Sequence, residues 1–246
     1  MRAKLNSNQI KVIAIAAMTA DHVAWLVFPG YSKELLPLLL HIVGRLTCPI
    51  MCYFVAEGYH HTKNINQYTA RLFLFALISH IPYMLASDGY VDAGSLSPFY
   101  YGDVLNQTGV MWSLAWGLVM LSVADSERIK GALKALVIVL ICVIAFPSDW
   151  SCIASLCVLA FGTNRGNFKA QMLWMVFYVA IYATVYFFAL DPVYGILQMG
   201  VVSAIPVLAT YNGERGKSPC VNRWMKWTFY IYYPLHLLII GLIRIL

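Results

Sequence analysis

The stretch QIKVIAIAAMTADHVAWLVFP (9–29) decides the fold class, because it is long and apolar and carries only one cation and one carboxylate. A transmembrane helix needs about 20 mostly apolar residues, and a continuous apolar run without alternation favours a helix over a barrel strand. The stretch is too long for the apolar part of a cleavable signal peptide, and it lacks a small-residue cleavage site. Residues 9–29 are therefore expected to form a first membrane span.

The rest of the chain repeats this pattern. Of the 246 residues, 61% are apolar or aromatic and 11% are charged, whereas soluble domains have roughly 45–50% and about 25%. This composition excludes a water-soluble enzyme, a disordered tail and a nucleic-acid-binding domain. We predict an all-α integral membrane protein, a polytopic bundle of about nine transmembrane helices that forms one domain over 1–246. The expected spans are 9–29, 35–57, 68–87, 106–124, 129–147, 150–163, 169–190, 192–210 and 224–245.

The positive charges predict the orientation of these spans. All but three of the 17 lysines and arginines fall on one side of them; Lys33 and Arg244 fall on the other side, and Arg45 lies inside a span. Because Lys and Arg collect on the cytoplasmic side of a membrane protein, the N-terminus is expected in the cytoplasm and the C-terminus outside. The net charge of +6 is then a topology signal: membrane lipids are the expected surroundings, and no nucleic acid is expected as a partner.

Ionisable side chains inside the expected spans are the candidate functional residues. Such groups cost several kcal/mol in lipid and usually mark a site or a pathway. At about 1.5 Å rise per residue, five of the expected helices place a polar group at a similar depth, as a reaction centre or an ion site would. Structural ion pairing, for example between Asp21 and Arg45, is the alternative. The candidates are Asp21, His22, His41, Arg45, Glu57, His80, His236 and the amide Asn106.

Helical spacing separates the roles of the polar residues in the first span. Neighbours on a helix point about 100° apart, so Asp21 and His22 do not form a dyad; Asp21 is expected to pair with Arg45 or another helix, while His22 faces a cavity. Lys11 lies eleven residues before His22, on the same face and about 16 Å away. A long cofactor with a phosphorylated end and a reactive tip fits this spacing. A lysine that only snorkels to the interface is the alternative.

Several motifs along the chain give it a family resemblance. They are KVIAIAAMTADH (11–22), GRLTCPIMCYFVAEGYHHT (44–62), RLFLFALISHIPYMLA (71–86), SDW (148–150), YNGERGK (211–217) and YIYYPLHLLI (230–239). With these motifs the chain resembles the TraX family, membrane proteins named for the acetylation of conjugative F pilin. The Lys-x10-His spacing of Lys11 and His22 is also similar to the Arg/Lys-x10-His motif of the membrane acyltransferase-3 group.

The resemblance implies an acetyltransferase in the bacterial cytoplasmic (inner) membrane. Acetyl-CoA would be the cytosolic donor substrate, and the acceptor an amine or hydroxyl of a pilin-like protein or an envelope glycan on the outer side. His22 would be the general base of a catalytic centre that also contains Asp21 and Arg45. The expected acetyl-CoA-binding cations are Lys11, Lys63 and Arg71. The expected acceptor-binding residues are Asn106, His80, His236 and Glu57.

A proton-coupled transporter of small molecules is the alternative function. Asp21, His22 and Arg45 would then act as a proton relay. A transporter needs no acetyl donor and would not depend on Lys11, so donor binding discriminates between the two. The chain also lacks the internal repeats that many transporters show.

A metal site is a further alternative, near the end of the second span. Glu57, His60 and His61 have the three- and four-residue spacings that place helix side chains on one face. A hydrogen-bonded cluster near the CoA entrance is the preferred interpretation, and no metal is expected.

Overall fold

The computed structural model describes residues 4–89, 91 and 107–246. The regular elements in these ranges are all helices, which confirms the all-α prediction. They are α1 Ser7–Val27, α2 Leu35–Gly44, α3 Thr47–His61, α4 Ile65–Asp88, α5 Val110–Asp125, α6 Gly131–Ala145, α7 Ser151–Thr163, α8 Phe168–Ala189, α9 Pro192–Gln198, a 3-10 helix Met199–Ser203, α10 Ala204–Ala209 and α11 Pro219–Ile245.

Six helical segments in the described residues are long and apolar enough to cross a membrane, so the chain is a multi-pass membrane protein. Helices α5, α6 and α7 are apolar but shorter than a full span. The number of nine spans and the sides of the two termini therefore stay predictions. The six segments are Ser7–Val27, Leu35–His61, Ile65–Ser87, Phe168–Ala189, Pro192–Ala209 and Pro219–Ile245.

Two of the spans expected from the sequence are interrupted rather than continuous. The span expected over 35–57 divides into α2 and α3, and the one expected over 192–210 divides into α9, the 3-10 helix and α10. A proline lies in the helical turn that follows each interrupted stretch, and it has no N–H to bond the carbonyl four residues earlier. Pro49 leaves the carbonyl of Arg45 without this bond, and Pro206 does the same to Val202.

Capping fixes where two of the site-bearing helices begin. The Asn6 side chain accepts a hydrogen bond from the Gln9 N–H at 3.1 Å, and the Gln9 side chain accepts one from the Asn6 N–H at 3.0 Å. This reciprocal capping box satisfies two N–H groups at the start of α1. Asp191 caps α9 by accepting from the Tyr194 N–H at 3.0 Å, and Pro192 follows at the first helical position, where its missing N–H has no cost.

The described chain divides into two compact units. Unit 1 contains Met1–Met51 and Val176–His236, and unit 2 contains Cys52–Met175 and Leu237–Leu246. In unit 1, α1 and α2 approach each other closely at Gly44, where an added Cβ would lie 2.3 Å from the Cβ of Asp21. Only a glycine fits at this point, so it places Asp21 directly against α2.

The first residues of unit 1 are tied to the segment that precedes α11. The Leu5 N–H donates to the Thr210 carbonyl at 2.9 Å, and the Asn212 N–H donates to the Leu5 carbonyl at 2.9 Å. The Asn8 side chain also donates to Asn222 on α11 at 2.7 Å. These bonds fix the start of α1 relative to α11, the helix that carries His236.

In unit 2, a turn with left-handed backbone connects α6 to α7. Trp150 and Ser151 have φ values of 63° and 50°, which cost a residue with a side chain roughly 1–2 kcal/mol each. The turn persists because the segment beside it holds it at two points. The Gln107 N–H donates to the Pro147 carbonyl and the Asp149 N–H donates to the Thr108 carbonyl, both at 2.7 Å.

Candidate functional site

Asp21 is the centre of a buried ionic cluster in unit 1. Its Oδ1 lies 2.7 Å from His41 Nδ1, and its Oδ2 accepts from Arg45 Nη1 at 3.2 Å. His41 and Arg45 are four residues apart, a spacing that places both on one face of a helix. All three side chains are buried, so the Asp21–Arg45 ion pair avoids leaving either charge alone in a low dielectric. The structure thus pairs Asp21 with Arg45 and adds His41.

The hydrogen bond to Asp21 fixes the tautomer of His41. A carboxylate only accepts hydrogen bonds, so His41 Nδ1 carries the hydrogen, and in the neutral form of the ring Nε2 keeps a lone pair. The His41 side chain is completely buried, and no group in the described residues hydrogen-bonds its Nε2. The rings of Trp25 and Tyr194 flank it, with centroids 4.5 and 5.5 Å from that of the imidazole. A buried acceptor without a partner costs free energy, so this atom is a candidate for ligand contact.

His22 lies in a second polar network of unit 1. Its Nδ1 is 2.7 Å from His236 Nε2, and the two rings are nearly parallel, at 12°. His236 Nδ1 lies 2.7 Å from the Tyr232 carbonyl. Because the carbonyl only accepts, His236 Nδ1 is the donor and the neutral His236 accepts at Nε2. His22 Nδ1 therefore donates to His236, which leaves the lone pair of His22 on Nε2.

Tyr232 anchors this network to α1 through its hydroxyl. Thr19 Oγ1 donates to the Ile15 carbonyl at 2.8 Å and lies 2.5 Å from the Tyr232 hydroxyl. Since the single hydrogen of Thr19 is used for Ile15, the Tyr232 hydroxyl donates to Thr19. The Tyr232 ring also lies parallel to the His236 ring, at a centroid distance of 4.9 Å. Each hydrogen bond in this series has one assigned donor, so the series fixes the orientation of the His22 ring through its Nδ1.

The two networks lie on different sides of α1, since Asp21 and His22 are neighbours and point about 100° apart. Each network holds an imidazole by its Nδ1 and leaves the Nε2 lone pair open. A neutral imidazole in this state accepts a proton or a hydrogen bond, and it is the side chain most often used as a general base at neutral pH. Unit 1 therefore contains two candidate bases, His22 and His41.

Lys11 lies on the same continuous helix as His22. α1 runs without a break over Ser7–Val27, so the sequence estimate of about 16 Å between the two residues holds for this helix. Arg215 lies near enough for its charge to act on that of Lys11. Two cations at one end of α1 are suited to an anionic group such as phosphate.

Glu57 lies in unit 2, where it pairs with a cation. Arg165 Nε and Nη2 donate to its two carboxylate oxygens at 3.1 and 3.4 Å, and His61 Nε2 lies 3.3 Å from it. His60 is engaged elsewhere, with its Nε2 donating to the Gly162 carbonyl at 3.2 Å. Glu57 and the two histidines thus make protein contacts in which each side chain has a partner.

The remaining predicted site residues also belong to unit 2 or lie outside the described ranges. Lys63 is exposed after α3, and the Arg71 guanidinium lies over the Tyr68 ring, 5.9 Å from its centroid. His80 is buried, with Nδ1 3.1 Å from the Thr108 hydroxyl. Asn106 lies outside the described residues.

The sequence analysis counted His41 among the candidates without giving it a specific role, and it did not single out Tyr232. The four-residue spacing of His41 and Arg45 is a signal for a shared helix face, and it was available in the sequence. Tyr232 has the same spacing to His236. The sequence does not reveal which of several buried acceptors each imidazole will bond, because that depends on the packing of α2 and α11 against α1.

Comparison with known proteins identifies the family of the chain. Residues 6–244 match the family described as TraX protein. The chain is 32% identical over 237 residues to the probable fimbrial assembly protein FimC, serogroup H1, of Dichelobacter nodosus, with 93% of this chain and 91% of that protein covered. It is 23% identical over 124 residues to the uncharacterized protein RP591 of Rickettsia prowazekii (strain Madrid E), with 45% and 48% covered. No solved structure matches it. The chain belongs to the TraX family.

Proposed function

We propose that this chain is an acetyltransferase of the bacterial inner membrane, which transfers an acetyl group from cytosolic acetyl-CoA to an amine or hydroxyl on the outer side. The observation that carries the proposal is the hydrogen bonding of the His22 ring. His236 and Tyr232 fix its Nδ1 as a donor, at 2.7 Å for each successive contact, so its Nε2 is left as a proton acceptor. An acyl transfer to an amine or hydroxyl needs such a base, because neither nucleophile is reactive while it holds its proton.

The donor substrate is expected to bind along α1. The phosphates of acetyl-CoA would contact Lys11 and Arg215, whose charges lie near each other, and the thioester would reach His22 about 16 Å along the helix. Lys63 and Arg71 are proposed as further cations for the phosphates.

The chemistry is a single acyl transfer with balanced protons. His22 Nε2 removes one proton from the amine or hydroxyl of the acceptor. The nitrogen or oxygen of that amine or hydroxyl then attacks the thioester carbonyl. The tetrahedral intermediate then breaks the carbon–sulfur bond, and the His22 imidazolium returns the proton to the CoA thiolate. His236 accepts a hydrogen bond from His22 Nδ1 in this scheme, and this bond orients the base.

The other predicted residues have supporting roles in this proposal. Asp21 and Arg45 balance each other's charge beside the base and fix the packing of α1 on α2. Asn106, His80 and Glu57 remain proposals for acceptor contacts. No step in the scheme requires a metal ion.

The acceptor is proposed to be a pilus subunit. The similar protein of Dichelobacter nodosus is a probable fimbrial assembly protein, which favours a pilin-like acceptor over an envelope glycan. Both acceptors present an amine or a hydroxyl, so the same base serves either of them.

Binding of acetyl-CoA to the protein in lipid nanodiscs, measured by calorimetry, tests the proposal. We expect saturable binding that Lys11→Ala weakens by roughly tenfold or more, because a hydrogen bond to a charged group contributes about 1.5–3 kcal/mol. Lys33→Ala is the matched control: it removes a cation beyond the opposite end of α1, one that pairs with Asp191 at 3.5 Å. Absence of binding in folded wild-type protein, or equal losses in both variants, would contradict the proposal.

A further inference from the structure

His41, in the part of the chain that the structure describes, is a completely buried ionisable side chain with one hydrogen-bonding atom left without a partner. Its ring has no exposed surface, its Nδ1 is committed to Asp21 at 2.7 Å, and no group in the described part of the chain pairs with its Nε2. A core histidine that served packing alone would be expected to have both nitrogens satisfied. The acetyl transfer described above uses His22 and leaves His41 without a role.

The residues around His41 lie near the C-terminal end of α1, whereas Lys11 lies near its N-terminal end. Trp25, which contacts the His41 ring, follows Lys11 by fourteen residues, or about 21 Å along the helix. The Tyr194 ring lies 5.5 Å from that of Trp25 and 4.8 Å from that of Tyr31. Tyr31 is 39% exposed, whereas Tyr194 and His41 are completely buried, so the aromatic rings extend from the surface of unit 1 to His41.

The hydroxyls of this aromatic cluster (Trp25, Tyr31, Tyr186 and Tyr194) already have partners. The Tyr194 hydroxyl donates to the Ser32 carbonyl at 3.0 Å, and the Tyr31 hydroxyl donates to that of Tyr186 at 3.4 Å. These hydroxyls are therefore engaged within the protein, and the acceptor without a partner beside the rings belongs to His41. Ring surfaces with one convergent polar atom are typical of a small-molecule or side-chain binding site.

We propose that His41 Nε2 binds the acyl acceptor, by accepting a hydrogen bond from an N–H or O–H of the acceptor other than the one whose proton His22 removes. Asp21 holds the His41 ring in the tautomer that this contact needs, and the aromatic cluster contacts the group that carries the amine or hydroxyl. The inference rests on the proposed acetyl transfer: the donor would reach His22 from the Lys11 end of α1, and the acceptor would reach His41 from the aromatic end.

Two substitutions separate binding from structural support. The amide of His41→Asn takes the place of Nδ1, so it still donates to Asp21 but has nothing at the position of Nε2. The amide of His41→Gln reaches the position of Nε2 and offers an oxygen there, but it gives up the bond to Asp21. A purely structural His41 would tolerate Asn and not Gln, whereas an acceptor-binding His41 gives the opposite order for acceptor affinity.

The experiment uses hydroxylamine as the acceptor, because it carries both an amine and a hydroxyl, and measures release of CoA from acetyl-CoA in nanodiscs. Thermal unfolding and the Kd for acetyl-CoA are measured on the same samples. We expect His41→Asn to raise the KM for hydroxylamine about tenfold, the effect of one lost hydrogen bond, with the Kd for acetyl-CoA and the unfolding midpoint close to wild type. His41→Gln should show a KM nearer to wild type and a lower midpoint.

The inference is overturned if His41→Asn has the KM of the wild type, or if hydroxylamine does not saturate the wild type. Binding of acetyl-CoA by the wild type would still support the proposed function in either case. Failure of the wild type to bind acetyl-CoA would overturn the proposed function itself, and the inference with it. The aromatic cluster provides a second variant: Trp25→Leu removes a ring beside His41 and should raise the same KM without changing the Kd for acetyl-CoA. An unchanged KM in Trp25→Leu would contradict the proposed direction of entry.

Discussion

A pair of buried serines in unit 2, Ser113 and Ser155, differs from the two imidazoles of unit 1, His22 and His41, in whether the hydrogen bonds are complete. In unit 2, Ser113 Oγ donates to the Ser151 carbonyl and Ser155 Oγ donates to the Ser113 carbonyl, both at 2.6 Å. In unit 1, His41 Nε2 is buried without a partner among the described residues, and His22 is hydrogen-bonded there through Nδ1 alone. Serines that satisfy one another serve the packing of α5 on α7. Imidazoles that leave an acceptor open in an apolar protein have a cost, and we interpret that cost as the mark of a ligand site.

The largest effect is expected from Asp21→Ala. This change leaves the buried Arg45 without its counter-ion and His41 without its partner, and breaking a buried ion pair costs about 3–5 kcal/mol. We expect a large fall in the unfolding midpoint, measured by heating the protein in detergent, together with loss of acetyl transfer. A variant as stable as the wild type would show that the Asp21 cluster does not stabilise unit 1.

A smaller effect is expected from Ser113→Ala in unit 2. Its hydroxyl is fully buried and also accepts from the Ser155 N–H at 3.2 Å, so its removal should cost about 1–3 kcal/mol of stability. Acetyl transfer by the folded protein should stay at the wild-type rate, because these serines have no part in the proposed chemistry. A loss of acetyl transfer much larger than the loss of stability would contradict the proposed difference between the serines of unit 2 and the imidazoles of unit 1.

The smallest effect is expected at Asp191, and only in acid. The Tyr194 backbone N–H, with help from the Lys33 ammonium, holds the pKa of Asp191 below its usual value. A carboxylate with a lowered folded-state pKa stabilises the fold above its unfolded pKa of about 3.9, and this contribution is lost as the pH falls through the folded-state pKa. Asp191→Asn should therefore lose less stability than the wild type when the pH is lowered below about 4. Parallel unfolding curves for the two proteins across that range would contradict this assignment.

The helical class of the fold follows from composition and apolar runs alone, and its details follow only in part. The span expected over 35–57 is interrupted between Gly44 and Thr47, just before Pro49, whereas α4 and α11 continue through Pro82 and Pro234. The same break brings Arg45 to the end of α2, four residues after His41, where both reach Asp21. A hydropathy pattern reports that a segment is apolar, and it does not report where the helix is interrupted.

The candidate site was likewise predictable from the sequence only in part. Helical spacing was enough to separate Asp21 from His22 and to place Lys11 on the face of His22. It was not enough to pair His22 with His236, which are 214 residues apart. Their contact depends on how α11 packs against α1, and that packing is set by tertiary contacts such as the bond between Asn8 and Asn222.

The most direct test of the account compares His22→Ala with the wild type in nanodiscs, with acetyl-CoA affinity and hydroxylamine-dependent release of CoA measured on the same samples. Loss of a general base lowers a rate by about 10²–10⁴-fold. The account predicts a loss of this size in His22→Ala while the Kd for acetyl-CoA stays close to the wild-type value. A variant that releases CoA at the wild-type rate, or a wild-type protein that binds no acetyl-CoA, would contradict the claim that this protein is an acetyltransferase with His22 as its base.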